Sequence, residues 1–320
     1  MTMRHWHFSL YLMVCICLFP VASFASEPAA LFSKIKFYAA MASVAYLPEQ
    51  EAKVVIEAQA YQLDLYNSVP AVEVNYFVAT NHTLKHHVIS VRGTANVRNA
   101  LVDVSMKLLY DEHANIMLHQ GFAQAAEGVY KSLLPTLNKD YTISATGHSL
   151  GGAVAVILAM YLDIDQYALG PVVTFGQPKV TNVSGAFAYQ HLDVTRVVTA
   201  KDLVPLLPPL DVMDIKKPGI YWHLGNEVVL LEELDYATLE GLKSMMRATR
   251  VINATLSPEN LVHHKMVGYL SQIELKGDLA NLVPYETDID LLKLFGKYWG
   301  QNESIKVKEN QGTKALKMVQ

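Results

Sequence analysis

Hydrophobic and polar positions follow two periodicities along the first part of this chain. Apolar residues recur every three to four positions over residues 29–46, and residues 124–134 continue with a helical pattern, which predicts two helices. Between them, β-branched and aromatic residues dominate three runs, at residues 54–65, 72–79 and 86–92. Such runs are typical of strands. The pattern therefore predicts three strands between two helices.

The next part of the chain alternates short apolar runs with longer helical ones. Strands are predicted at residues 141–145, 172–175 and 194–199, and helices at residues 151–162 and 185–192. Strands that alternate with helices favour a parallel sheet, because each parallel connection needs a crossover. We therefore predict an α/β fold with a mostly parallel central sheet and helices on both faces.

The first 25 residues do not fit this alternation. One basic residue, Arg4, precedes the apolar run 8–22, and Ser23-Phe24-Ala25 offers small residues for cleavage. This layout predicts a signal peptide over residues 1–25 and an exported protein, secreted or periplasmic. The run is shorter than the roughly 20 apolar residues that a membrane span needs. Both cysteines lie inside it, so the mature chain is expected to have no disulfide.

The remaining sequence predicts one domain over residues 26–300, because no repeat or linker divides it. Residues 301–320 are polar and Lys-rich, and we expect them to form a flexible tail. Of the 320 residues, 51% are hydrophobic and 18% are charged, which excludes a chain that is disordered throughout. The net charge of −4 argues against nucleic acid as the main partner.

The strongest chemical signal is Gly147-His148-Ser149-Leu150-Gly151, which follows a predicted strand and opens a predicted helix. A serine raised on such a tight turn needs glycine neighbours, because the strand and the helix crowd the turn. The helix N-terminus favours negative charge, so the Leu150 amide is expected to point at a developing oxyanion. These features predict that Ser149 is a nucleophile.

The order of serine, acid and histidine that goes with this turn directs the search for the acid and the base. Asp202 follows the strand at residues 194–199 and precedes a proline-rich segment that fixes its loop, so we expect it to be the acid. Three histidines follow Asp202, namely His223, His263 and His264. The residues alone leave the base open among these three.

A second oxyanion donor is expected after an earlier strand. Thr94 follows Arg92 and Gly93 at the end of the third strand, where it offers an amide and a hydroxyl; an ordinary turn is the alternative. Residues 95–109 then predict a short amphipathic helix, either a lid or a helix packed on the core. No metal-binding or nucleotide-binding motif stands in a suitable context, so neither a metal nor an organic cofactor is expected.

Six segments of the chain, taken together, are more specific than any single motif. They are HVISVRGTANVRNALVDV, LHQGF, TGHSLGGAVA, TFGQPKV, KDLVPLLPP and HKMVGYL. In this order they resemble the class 3, or fungal-type, lipase family of α/β-hydrolases, over residues 29–273. The resemblance implies a triad of Ser149, Asp202 and His264, where His264 is preferred because Tyr269 follows it. It also implies an oxyanion hole formed by Thr94 and Leu150.

Further details of the resemblance concern the surroundings of the site. Asp103 matches an acid that supports the oxyanion loop, and the helix after Thr94 matches the lid. Ala100 stands where fungal lipases often carry Trp, and the absence of their disulfides fits a bacterial member better. Residues 236–253 are expected to form a helix, either on the surface or over the acyl pocket.

The resemblance implies a secreted serine hydrolase that cleaves carboxylic esters of lipids, above all a triacylglycerol lipase. Its partner would be a lipid ester substrate, met at a lipid–water interface. A phospholipase A1, a short-chain carboxylesterase and an acyltransferase are alternatives on the same triad. An inactive exported binding protein is a further alternative, against which the intact Ser149, Asp202 and His264 argue.

Overall fold

The computed structural model describes residues 27–94, 107–208, 219–247 and 261–285. The predicted signal peptide and tail, Ala100, Asp103 and most of the predicted lid helix lie outside these ranges. The domain limits at residues 26 and 300 stay predictions.

A central sheet and a smaller sheet contain the strands of the described ranges. The strands are β1 (Gln62–Val69), β2 (Val74–Asn81), β3 (His86–Val91), β4 (Leu108–Asp111), β5 (Ile116–His119), β6 (Thr142–His148), β7 (Leu169–Phe175), β8 (Thr181–Asn182), β9 (Val194–Thr199), β10 (Tyr221–Trp222), β11 (Asn226–Leu230), β12 (Asp235–Leu239) and β13 (Asn281–Leu282). The order in the central sheet is β1-β2-β3-β6-β7-β9-β11-β12-β13, and in the smaller sheet β10-β8-β5-β4.

The middle of the central sheet is parallel. β3, β6, β7, β9 and β11 pair in parallel, whereas the pairs β1–β2, β2–β3 and β11–β12 are antiparallel and the edge pair β12–β13 is parallel. This confirms the mostly parallel sheet. The carboxyl ends of β3, β6 and β9 lie at one edge of the sheet, and the segments carrying Thr94, Ser149 and Asp202 begin there.

Helices cover both faces of the central sheet, as predicted. They are α1 (Glu27–Val44), α2 (Glu49–Ala58), α3 (Gln120–Leu133), α4 (Leu150–Ile164), α5 (Val183–Ala188), α6 (Gly241–Arg247) and α7 (Met266–Lys276). Adjacent residues of β7 point to opposite faces. Val172 therefore packs in a buried cluster with α3 and α4, whereas Val173 packs in another cluster with α1 and α7.

The structure corrects three local predictions. Residues 54–65 are not one strand, because α2 continues to Ala58 and β1 begins at Gln62. Residues 236–253 begin as strand β12, and the helix α6 starts only at Gly241. Leu108 and Leu109, at the end of the predicted lid helix, belong to strand β4. In each case, pairing with a neighbouring strand or burial of a helix face outweighs the local pattern.

Candidate active site

Ser149 lies on the turn between β6 and α4, with φ 61° and ψ −130°. A non-glycine residue adopts a positive φ at an energetic cost, so its surroundings must hold it there. The Ser149 amide donates to the Phe175 carbonyl at 2.9 Å, and the Ser149 carbonyl accepts from the Gly152 amide at 3.0 Å. The strand, the strained turn and the helix predicted around this serine are all present.

Gly147 and Gly151 allow three backbone segments to meet at this turn. A Cβ atom on Gly151 would lie 2.1 Å from the Val91 carbonyl oxygen, and one on Gly147 would lie 2.5 Å from the Gly151 carbonyl carbon. Real Cβ atoms do not approach backbone atoms so closely, so a side chain at either position would push β3 or α4 away. The two glycines therefore hold the end of β3 against Ser149.

Asp202 and His264 are in direct contact. His264 Nδ1 lies 2.8 Å from Asp202 Oδ2, and the carboxylate is fully buried. Oδ2 also accepts a hydrogen bond from the Tyr269 hydroxyl at 2.5 Å, and Oδ1 accepts one from the Val204 amide at 2.9 Å. Burial and the charge of Asp202 raise the pKa of Tyr269 well above its ordinary value, so the phenol keeps its proton and donates it.

Of the three candidate histidines, His264 alone touches Asp202 within the described residues. His263 is exposed, and His223 Nε2 instead binds the Pro205 carbonyl oxygen at 2.6 Å. The second ring nitrogen of His264, Nε2, is buried and makes no hydrogen bond in the described part of the chain. This nitrogen is the one that a general base would use.

The loop after Asp202 is held by buried donors whose role the sequence analysis did not identify. Lys179 is fully buried, and its Nζ donates to the carbonyl oxygens of Leu206 and Pro208, each at 2.6 Å. Burial lowers the pKa of Lys179 to about 7 and that of His223, which holds a third carbonyl, well below its ordinary value. In the sequence, the only sign of this role was that Lys179 is the one charged residue of the segment TFGQPKV. These donors fix the backbone that carries the carboxylate.

The two predicted oxyanion residues adjoin Ser149 in the structure. Leu150 is the first residue of α4, and the first amides of a helix have no partner within the helix. Thr94 follows β3 in the segment that Gly151 brings close. A Cβ atom on Gly93 would lie only 3.0 Å from Ser149 Cβ, so this segment packs directly on the serine.

Two further classes of site were sought within the described ranges. No group of three or more His, Cys, Asp or Glu side chains is placed there to hold a metal ion. No helix in these ranges is long and apolar enough to cross a membrane.

Comparisons with known proteins show which family a part of the chain resembles. The model of the family "Lipase (class 3)" matches residues 88–212. The "Secreted mono- and diacylglycerol lipase 1" of Fusarium solani is 37% identical over 143 residues, which cover 42% of this chain and 43% of that protein. Over residues 88–212, the chain is similar to the class 3 lipase family. The matched region contains Thr94, Ser149 and Asp202, whereas His264 lies beyond it.

Solved structures of fungal lipases share the fold. The lipase of Rhizopus microsporus var. chinensis aligns with a TM-score of 0.54 at 25% identity, covering 63% of this chain and 75% of that one. A nonglycosylated lipase of Yarrowia lipolytica aligns with a TM-score of 0.56 at 22% identity, covering 66% and 85% of the two chains. The fold is therefore that of an α/β-hydrolase. By contrast, this chain spans less than half the length of the Fusarium lipase.

Proposed function

We propose that the protein hydrolyses carboxylic ester bonds of lipids with Ser149, His264 and Asp202. The observation that carries the proposal is the 2.8 Å contact between His264 Nδ1 and Asp202 Oδ2, which leaves Nε2 as the open nitrogen. Ser149 lies on a strained turn at a helix N-terminus, directly after His148, whose ring centroid is 4.6 Å from that of His264. Nucleophile, base and orienting acid are the parts that acyl transfer through an acyl-enzyme requires.

The reaction follows from these positions. His264 Nε2 takes the proton of Ser149 Oγ as the oxygen attacks the ester carbonyl, and Asp202 stabilises the imidazolium that forms. The amides of Leu150 and Thr94 donate to the oxyanion of the tetrahedral intermediate. The alcohol leaves with the proton from His264, and water then releases the fatty acid by the same steps in reverse order. Every group involved belongs to the chain, apart from the ester and water.

Acylglycerols are the substrates that we propose, with triacylglycerol first. The Fusarium relative is named for mono- and diacylglycerols, so partial glycerides belong in the same test. Phospholipids would indicate a phospholipase A1, and short soluble esters a carboxylesterase. We also propose that residues 1–25 direct export, in line with the word "secreted" in the name of that relative.

The first experiment measures hydrolysis rates of tri-, di- and monooleoylglycerol, of phosphatidylcholine vesicles, and of esters from acetyl to oleoyl. Each soluble ester is assayed below and above its solubility limit, because a rate that jumps on the emulsion indicates a working lid. Ser149→Ala is expected to lower every rate by about 10⁴-fold or more without a change in thermal unfolding. An active Ser149→Ala variant would refute the assignment.

Two adjacent histidines provide a matched pair of variants. His264→Ala should lower kcat by about 10³-fold or more, because the base and its contact with Asp202 are lost. His263→Ala should stay within twofold of the unmodified protein, since His263 is exposed and lies outside that contact. The reverse result would show that His263 is the base. A fluorophosphonate probe that fails to label the unmodified protein on Ser149 would favour an inactive binding protein.

A further inference from the structure

Tyr46 connects two parts of the candidate active site that are far apart in the sequence. Its hydroxyl lies 2.8 Å from His148 Nδ1, in the residue that precedes Ser149. The same hydroxyl also lies against Gly93, in the segment that carries Thr94; burial raises the pKa of Tyr46, and the Gly93 amide partly offsets that rise. A Cβ atom on Gly93 would lie 2.6 Å from the Tyr46 oxygen, so the contact leaves no room for a side chain there.

His148 extends this connection to the candidate base. His148 Nε2 lies 2.6 Å from the His264 carbonyl oxygen, and the two imidazole rings are 4.6 Å apart. A carbonyl oxygen only accepts, so Nε2 carries the proton and Nδ1 is left to accept one from Tyr46. Burial, with the neighbouring His264 as a smaller cause, lowers the pKa of His148 to about 3, which keeps this ring neutral.

The hydrogen bonds therefore run in one direction through a single chain of groups. The Tyr46 hydroxyl, which packs on Gly93, donates to His148 Nδ1, and His148 Nε2 donates to the His264 carbonyl. The two ends of this chain are the backbone beside Thr94 and the backbone of the base itself. Its middle is the residue bonded to Ser149. We call these four groups the Tyr46–His148 relay.

We infer that Tyr46 and His148 are positioning residues, which set the oxyanion loop and His264 relative to Ser149. The inference rests on the proposed function. Catalytic groups must be held within about 0.5 Å of their productive places, and a misplacement of about 1 Å costs about 10²-fold in rate. Here the groups to be held are the segment of Gly93 and Thr94 and the backbone of His264. The relay supplies contacts between them.

The first test is Tyr46→Phe, which keeps the ring and its place 5.5 Å from the Arg92 guanidinium. We expect kcat for a soluble ester to fall by about 10- to 100-fold while KM stays within twofold, because transition-state contacts are affected more than substrate binding. The inhibition constant of an alkyl boronic acid, which mimics the tetrahedral intermediate, should rise by the same factor. If the Tyr46 hydroxyl acted only in folding, neither kcat nor the inhibition constant of the boronic acid would change.

Tyr66→Phe is the matched control. The Tyr66 hydroxyl donates to the Leu47 carbonyl at 2.7 Å, so it holds the segment next to Tyr46 without touching the relay. This variant loses one tyrosine hydroxyl of similar surroundings and should keep kcat within twofold. Equal losses of kcat in both variants would overturn the inference, because the effect would then come from the segment and not from the relay.

A double-mutant cycle tests whether the two side chains act as one unit. His148→Phe keeps a ring against His264 and removes both hydrogen bonds. Adding Tyr46→Phe to it should lower kcat by less than a further twofold, because the chain is already broken. Fully additive losses would refute the relay.

The outcomes separate the inference from the proposed function. Unmodified protein that neither hydrolyses esters nor reacts with a fluorophosphonate refutes the function and the relay with it. Active unmodified protein together with an unaffected Tyr46→Phe variant refutes the relay alone. A Tyr46→Phe variant without a cooperative thermal transition, measured by circular dichroism, would make the hydroxyl a determinant of folding and would also overturn the positioning role.

Discussion

Lowering the pH from 7 to 5 should destabilise this protein before its carboxylates take up protons. Five histidines of the described ranges are buried, and three of them carry the argument, namely His119 (3% exposed), His148 (4%) and His223 (9%). Burial lowers the pKa of His119 to about 4 and that of His148 to about 3, and it lowers the pKa of His223 well below its ordinary value. His119 and His148 are therefore neutral in the folded protein at pH 5, and the shift of His223 acts in the same direction.

The sign of the effect follows from the protons that each state binds. An unfolded histidine takes up a proton near pH 6.5, whereas these folded ones do not, so the unfolded state gains protons as the pH falls. Stability is therefore present at pH 7 and is lost towards pH 5. His119 and His148 each cost about 2 kcal/mol over that interval, about 4 kcal/mol together if they are independent, and His223 adds to the loss in the same direction. This loss is a large part of the stability of an ordinary domain, roughly 5–15 kcal/mol.

Urea unfolding at pH 7, 6 and 5 and constant ionic strength measures the effect. His119 Nδ1 accepts from the Phe122 amide at the start of α3, at 3.3 Å, and an asparagine oxygen can replace it. His119→Asn should therefore lose about 2 kcal/mol less than the unmodified protein between pH 7 and 5. His82 is exposed, so the free energy of unfolding of His82→Asn should change with pH as it does in the unmodified protein. Equal slopes for His119→Asn and the unmodified protein would refute the reasoning.

Two further predictions follow from contacts at the site. Tyr269→Phe removes one of the three described donors to the buried Asp202 carboxylate. The free energy of unfolding, measured by thermal unfolding, should therefore fall by about 1.5–3 kcal/mol, and kcat for ester hydrolysis should fall by about tenfold. An unchanged free energy of unfolding would contradict this prediction. Gly151→Ala should prevent cooperative folding, because its Cβ would meet the Val91 carbonyl at 2.1 Å. Gly268→Ala in α7 has open space and should instead stabilise by about 0.5–1 kcal/mol in the same circular-dichroism melt.

Structural features that depend on residues close together in the sequence were predicted well. The strand, turn and helix around Ser149 were visible because glycine, serine and apolar residues lie within a few positions of one another. The strand predicted at residues 194–199 agrees with β9 at both ends, which placed Asp202 correctly just beyond it. Such patterns carry their own local physics, so no tertiary information is needed.

Helix α2 shows where local patterns fail. The consecutive Val54, Val55 and Ile56 favoured a strand, yet they lie in a helix that buries only Ala52 and Ile56 on one narrow face. The strand-like composition was outweighed because this face packs on the core, while Val54 remains 68% exposed. The preference of β-branched residues for strands is weak compared with burial of a helix face.

Contacts between distant residues left no trace in the sequence. Tyr46 and His148 are 102 positions apart, and His148 and His264 are 116 apart. No periodicity links residues at such separations, so the relay appears only when β3, β6 and the segment before α7 meet at the same sheet edge. The choice of His264 over its two rivals came from the resemblance, and its contact with Asp202 supplies the physical reason.

The histidines that hold the site are also the ones that make the fold sensitive to acid. His148 donates to the backbone of His264, and His223 donates to the loop after Asp202. Each ring does so in its neutral form, in which Nε2 carries the proton and Nδ1 carries none. A protonated ring would bring a buried charge beside the imidazolium that the proposed mechanism forms on His264, or beside the buried Lys179. The low pKa values that keep these rings neutral in the folded protein also cause the loss of stability below pH 6.5. A variant that removes one of the rings should therefore lower both the rate of the proposed reaction and the loss of stability on acidification.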